Sequence, residues 1–131
     1  MSLDLHRDIT LRAMVMMMLA DGKVVYPELE LIGRIYRDLT DAEPEDGLLD
    51  RVAEEIGAET RSVEEYLGDA TADWKPSGRR SLLRAACLVS VADQELVRDE
   101  RIMLIRFGRA LRLSAQDVRS IHHELCGDPP I

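Results

Sequence analysis

Apolar positions recur at helical spacing along nearly the whole chain. From about Leu3 to Ala20, Leu5, Ile9, Ala13, Met16 and Ala20 share one face, and beyond Arg12 the other face turns apolar too. A helix apolar all round belongs in the middle of a bundle. Pro27 suits the opening turn of a second helix, with its buried face expected at Leu29, Ile32, Ile35, Tyr36 and Leu39. Gly33 within it fits either the close approach of another backbone or a solvent-facing position. Asp41-Ala42-Glu43-Pro44 breaks that helix, and a third is expected from near Glu45 to Gly57, burying Leu48, Leu49, Val52 and Ile56. Ser62-Val63-Glu64-Glu65 has the form of a capping box and starts a short fourth helix through Tyr66, Leu67 and Ala70. Trp74-Lys75-Pro76-Ser77-Gly78 reads as the close of the first half. Ser81 to Ala92 is a second helix apolar nearly all round. Ile102, Leu104, Ile105, Phe107 and Leu111 mark the sixth, with Gly108 inside it. Ser114 to Asp117 caps a seventh that uses Val118, Ile121 and Leu125 and ends at Cys126-Gly127-Asp128-Pro129-Pro130.

One junction is written twice: Ala20-Asp21-Gly22-Lys23-Val24-Val25-Tyr26-Pro27-Glu28 and Ala92-Asp93-Gln94-Glu95-Leu96-Val97-Arg98-Asp99-Glu100. In each, an apolar helix runs into an Asp, crosses a short loop with two aliphatics, and reaches a Glu at the head of the next helix. The Asp residues and the Glu residues are separated by the same 72 positions. Without a gap, that shift also aligns Ala13 with Ala85, Met16 with Leu88, Leu31 with Met103, Ile32 with Leu104, Ile35 with Phe107, Leu39 with Leu111 and Leu49 with Ile121. The fold expected is a single all-α domain over 1–131, a bundle of about seven helices. It is built from two pseudo-twofold-related helical repeats, about 5–57 and 79–126, joined by a connector over 58–78.

Composition narrows the function. A 131-residue chain with 46% apolar and only 4% aromatic residues suits one core of aliphatic helices. A net charge of −8 opposes binding to a phosphate backbone. The clustered cations Lys75, Arg79 and Arg80 fall in the expected linker, where solvation explains them, so nucleic acid is not an expected partner. Cys87 and Cys126 make no disulfide framework and no signal peptide precedes them, so a reducing cytoplasm is the expected setting. The longest apolar run, Ala13 to Ala20, falls short of the ~20 residues of a membrane span. Its methionines, at 14, 16, 17 and 18, point around a helix and are expected in the core rather than converging on one ion.

The repeated acids are the candidate chemistry. A carboxylate near a helix C-terminus meets the negative pole of the macrodipole, at a cost of about 0.3–1 kcal/mol. Asp21 and Asp93 both stand there, whereas Glu28 and Glu100 head helices, where acids are favourable. Two compensations fit. Each Asp folds back on the backbone N–H groups of the following helix, since Tyr26 and Arg98 are poor caps. Alternatively Asp21, Glu28, Asp93 and Glu100 converge as hard oxygen ligands for Ca²⁺, Mg²⁺ or Mn²⁺. The loops are not EF-hands: the Asp-x-Asp-x-Asp-Gly pattern is absent. His122, His123 and Cys126 supply too few ligands for a zinc site and are expected at or near the surface, as is His6 near the terminus. No Gly-rich phosphate loop, Gly-x-Ser-x-Gly or His-Glu-x-x-His is present, so no catalytic apparatus is expected.

The duplicated run of apolar helix, Ala-Asp-Gly, aliphatic loop and Pro-Glu, in an acidic helical chain of this size, resembles the TerB-like family. That family includes tellurite-resistance TerB proteins and the N-terminal domain of a membrane-anchored DnaJ-like co-chaperone. The likeness spans about Leu11 to Leu125. It implies a seven-helix bundle, no established catalysis, a bacterial cytoplasmic setting and an acidic surface for divalent cations, its acids mapping onto Asp21, Glu28, Asp93 and Glu100. The chain departs from the pattern at Tyr26-Pro27-Glu28, where the family commonly has Asp-Pro-Glu, and at Gln94 and Asp99, in place of Gly and Pro. One ligand is thereby missing from the first loop. Two functions are expected on this basis: a cation-binding accessory or scaffold domain in a stress response, or a metal-free module that docks a protein partner or a second copy of the chain.

Overall fold

A computed structural model gives the chain seven helices: α1 (Leu3–Met18), α2 (Tyr26–Thr40), α3 (Leu48–Gly57), α4 (Val63–Ala70), α5 (Pro76–Val91), α6 (Arg98–Ala110) and α7 (Ala115–Cys126). The backbone is described over 3–19, 26–91 and 98–126, and side chains over 6–19, 29–89 and 102–125. Among these residues there is no strand, and no helix is long and apolar enough to cross a membrane.

The two helices apolar on all sides form the centre. α1 and α5 make the most extensive helix–helix contact, α2 and α3 pack on α1, and α6 and α7 pack on α5. Met14, Met16, Met17 and Met18 are buried in this core, as are Leu82, Leu83 and Cys87 of α5. Cross-contacts of α2 with α5, α6 with α1, and α4 with α6 tie the bundle together.

Local chemistry sets the helix ends. Ser62 caps α4 by accepting from the Glu65 N–H at 3.1 Å. Ser114 caps α7 reciprocally: its hydroxyl accepts from the Asp117 N–H at 3.1 Å, and its own N–H donates to the Asp117 carboxylate at 3.4 Å. α6 ends in a Schellman turn, with Leu113 N–H donating to Gly108 C=O at 2.9 Å and Arg112 N–H to Arg109 C=O at 3.1 Å. That geometry holds Arg112 at φ 58, a left-handed conformation that favours Gly.

Several expectations are corrected. The third helix opens at Leu48 rather than near Glu45, because Gly47 adopts φ 78 and interrupts the helical run. The fifth opens at Pro76, inside the expected linker: Pro serves as the first helical residue instead of as a break. Arg79 and Arg80 therefore belong to α5, and the Arg79 Nη2 donates to the carbonyls of Thr71 (3.2 Å) and Ala72 (3.0 Å) at the end of α4. Leu39, Ile102 and Ile105 are 51%, 45% and 53% exposed. α6 carries two apolar stripes, and only Leu104, Phe107 and Leu111 face the core, while Ile102 and Ile105 lie on the far side with Arg109. His6 is half-buried, its ring edge-on to the buried Trp74 at 4.2 Å. His122 is buried while His123 is exposed, and the Cys126 side chain lies outside the described residues.

Candidate functional site

The repeated junctions connect α1 to α2 and α5 to α6. Asp21 and Asp93 lie outside the described residues, as do the side chains of Glu28 and Glu100. The backbone places both glutamates third in their helices, since α2 opens at Tyr26 and α6 at Arg98. These openings are themselves 72 residues apart. Each Glu therefore stands in a first turn, where the exposed N–H groups and the positive pole of the macrodipole favour a carboxylate.

Helix openings at Tyr26 and Arg98 also put these two residues inside the helices rather than before them. The residues preceding them in the chain are Val25 and Val97, which have no side-chain oxygen to offer an N–H group. Of the other helices whose starts are described, α4 and α7 have serine caps, whereas α3 starts after Gly47 and α5 after Lys75, neither of which offers a side-chain oxygen.

Next to the first junction, Met16 and Leu19 of α1, Ile56, Val63, Met103 and Arg106 line a groove of about 440 Å³. Its polar edge is neutralised within the chain. Arg106 binds Glu64 of α4, with Nη2–Oε1 at 2.8 Å and Nε–Oε1 at 3.0 Å, and these hydrogen bonds hold the Glu64 carboxyl below its ordinary range. Arg61 takes both oxygens of Glu59, at 2.9 and 3.2 Å, and stacks 4.8 Å over the Tyr66 ring. Hydrogen bonds from the Arg61 side chain and backbone pull the Glu59 carboxyl down to about 2. One turn earlier on the same face of α1, Arg12 bridges Asp8 at 3.1 Å and Glu55 of α3 at 3.0 Å. Sequence reading passed over these pairs, because Arg12–Glu55 and Arg106–Glu64 join residues 43 and 42 positions apart. Among the described residues, no group of three or more His, Cys, Asp or Glu is placed to hold a metal ion.

The family model for tellurite resistance protein TerB matches residues 8–123. The chain belongs to the TerB family. The match covers all but the edges of the seven-helix bundle and runs through both junctions of this TerB-family chain. Comparison with curated proteins and with solved structures finds no match.

Proposed function

We propose that this TerB-family chain is a non-enzymatic accessory or scaffold domain of a cytoplasmic response to tellurite or other chemical stress. In this reading it binds Ca²⁺, Mg²⁺ or Mn²⁺ weakly, with Asp21, Glu28, Asp93 and Glu100 as the ligands. The reading is supported chiefly by the matching position of Glu28 and Glu100, each third in a helix opened at the same place in the 72-residue shift. The same correspondence, with α2 and α3 on α1 and α6 and α7 on α5, supports two units related by a pseudo-twofold axis. Hard oxygen donors supplied singly from four places suit a cation that keeps part of its water shell.

Isothermal titration with each cation tests the reading. The wild-type chain is expected to give saturable heat that an Asp21→Asn, Asp93→Asn variant lacks. Equal, negligible heats from both proteins would remove the cation from the function.

Val25 and Val97 favour a second reading, in which Asp21 and Asp93 accept the N–H groups of α2 and α6 and the domain is a metal-free interaction module. Its signature is a thermal midpoint unmoved by any divalent ion, yet lowered by Asp21→Ala or Asp93→Ala.

A further inference from the structure

The α2–α3 and α6–α7 corners follow corresponding helices and carry opposite charge. At the first, Glu30, Glu45, Asp46 and Asp50 rim a cleft of about 300 Å³ whose apolar wall includes Pro44 and Leu49. All four carboxylates are exposed, and none meets a cation or hydrogen-bond donor among the described residues. Gly47 leaves the lip of the cleft bare, since a Cβ there would meet nothing within 4 Å. At the second corner, the exposed side chains of Arg112 and Arg119 meet no carboxylate among the described residues. Leu113, next to Arg112 in the chain, is half-buried.

We propose that the acidic α2–α3 cleft is an interface for the basic α6–α7 corner of a second copy of this chain, joined head to tail. A guanidinium fork matches carboxylate oxygens in pairs, and the arginine stem is apolar enough to lie along Pro44 and Leu49. The chain carries both halves of the contact, which identifies a second copy as the occupant. A head-to-tail contact leaves one cleft and one basic corner open at the ends of the pair, so it is heterologous and can extend beyond a dimer. The net charge of −8 repels copies at long range. At about 0.1 M salt that repulsion is screened beyond ~10 Å while pairs in contact survive, and at about 1 M, with a screening length of ~3 Å, the pairs weaken as well.

Sedimentation velocity across a concentration series, in chelator so that cation binding plays no part, tests the contact. Wild-type protein is expected to self-associate at about 0.1 M salt and to be monomeric at about 1 M. Asp46→Asn, Asp50→Asn and Arg112→Gln, Arg119→Gln are each expected to weaken association by about tenfold. Neutralised rather than reversed corners cannot pair with each other, so an equimolar mixture of the two variants is expected to form dimers that grow no further. Circular dichroism checks that each variant is folded, and a variant that fails is replaced by the single change at Asp50 or Arg119. Wild-type protein that stays monomeric throughout overturns the proposal. So does association that either pair of substitutions leaves unchanged.

Discussion

Gly33 and Gly108 interrupt α2 and α6, and the same substitution to alanine is expected to act in opposite directions at the two sites. In a helix interior, Gly→Ala gains about 1 kcal/mol of propensity. At Gly33 the added Cβ would stand 3.3 Å from the Leu49 Cδ1, the end of a flexible side chain that can move by the few tenths of an ångström required. Most of the propensity gain should survive, giving a variant more stable by about 0.5–1 kcal/mol. At Gly108 the Cβ would stand 2.5 Å from the Val118 Cγ2, against an optimal carbon–carbon separation of about 3.5–4.0 Å. Valine is stiff about χ1, so relief requires α7 to move as a body. Overpacking of this kind costs about 1–3 kcal/mol, which cancels or exceeds the propensity gain.

The propensity term is common to both substitutions, so their difference isolates the α6–α7 contact at about 1–3 kcal/mol. Urea unfolding supplies the assay: the midpoint should rise for Gly33→Ala and be unchanged or fall for Gly108→Ala, with unchanged slope. Val118→Ala removes the opposing methyls and should be less harmful in the Gly108→Ala background than in the wild type, a coupling a double-mutant cycle measures directly. Equal stabilisation by both alanines, with no coupling to Val118, would refute the close seating of α7 on α6.

Three further outcomes follow from the caps and ion pairs. Ser62→Ala and Ser114→Ala should each lower stability by about 1 kcal/mol in urea melts, since each removes the hydroxyl that accepts a first-turn N–H. Arg112→Gly should raise thermal stability by of order 1 kcal/mol, since Gly adopts φ 58 without the Cβ penalty, whereas Asp41→Gly at φ 56 should gain less because Asp tolerates that region. The depressed carboxyls of Glu59 and Glu64 contribute stability that is complete above the unfolded value of ~4.3 and is lost as pH falls through their folded values. NMR titration should accordingly find Glu59 charged down to about 2, with Arg61→Ala returning it toward the ordinary range, and Glu64→Gln should flatten stability below ~4.3.

The helices were legible because their signal is local: a 3.6-residue period, two Ser-x-x-acid caps and few breaks. What the sequence concealed was decided by partners far along the chain. Two apolar stripes on α6 have equal periodicity, and only the packing of its neighbours leaves Ile102 and Ile105 outside and Leu104 and Phe107 inside. His6 reads as terminal and exposed until Trp74 is found edge-on to it. Pro76 falls in the expected linker and Gly47 inside the expected third helix, yet the first opens a helix and the second delays one. For the candidate site, the sequence supplied the residues and the helix positions of Glu28 and Glu100. Convergence of their carboxylates with Asp21 and Asp93 is a matter of side-chain placement, which periodicity does not encode.

The 72-residue register is kept unevenly, and that bears on where shared chemistry should lie. α2 and α6 open in register, and α5 starts and ends one residue after the shifted bounds of α1. Beyond the second helix of each half the register slips: α7 opens at Ala115, whereas Leu48 shifts onto Ser120. The glycines show the same drift. Gly33 receives Leu49 and Gly108 receives Val118, but Gly33 shifts onto the exposed Ile105, one turn earlier in α6. A helix seated on a glycine of its predecessor therefore occurs in both halves, reached from different turns with corner loops of different length and opposite charge. Shared register at the Asp–Glu junctions suits a role both halves perform together, as a cation bound between them or a cap needed twice would require. Divergent corners suit surfaces that act separately, so loss of head-to-tail association on neutralising Asp46 and Asp50 should leave any heat of cation binding unchanged.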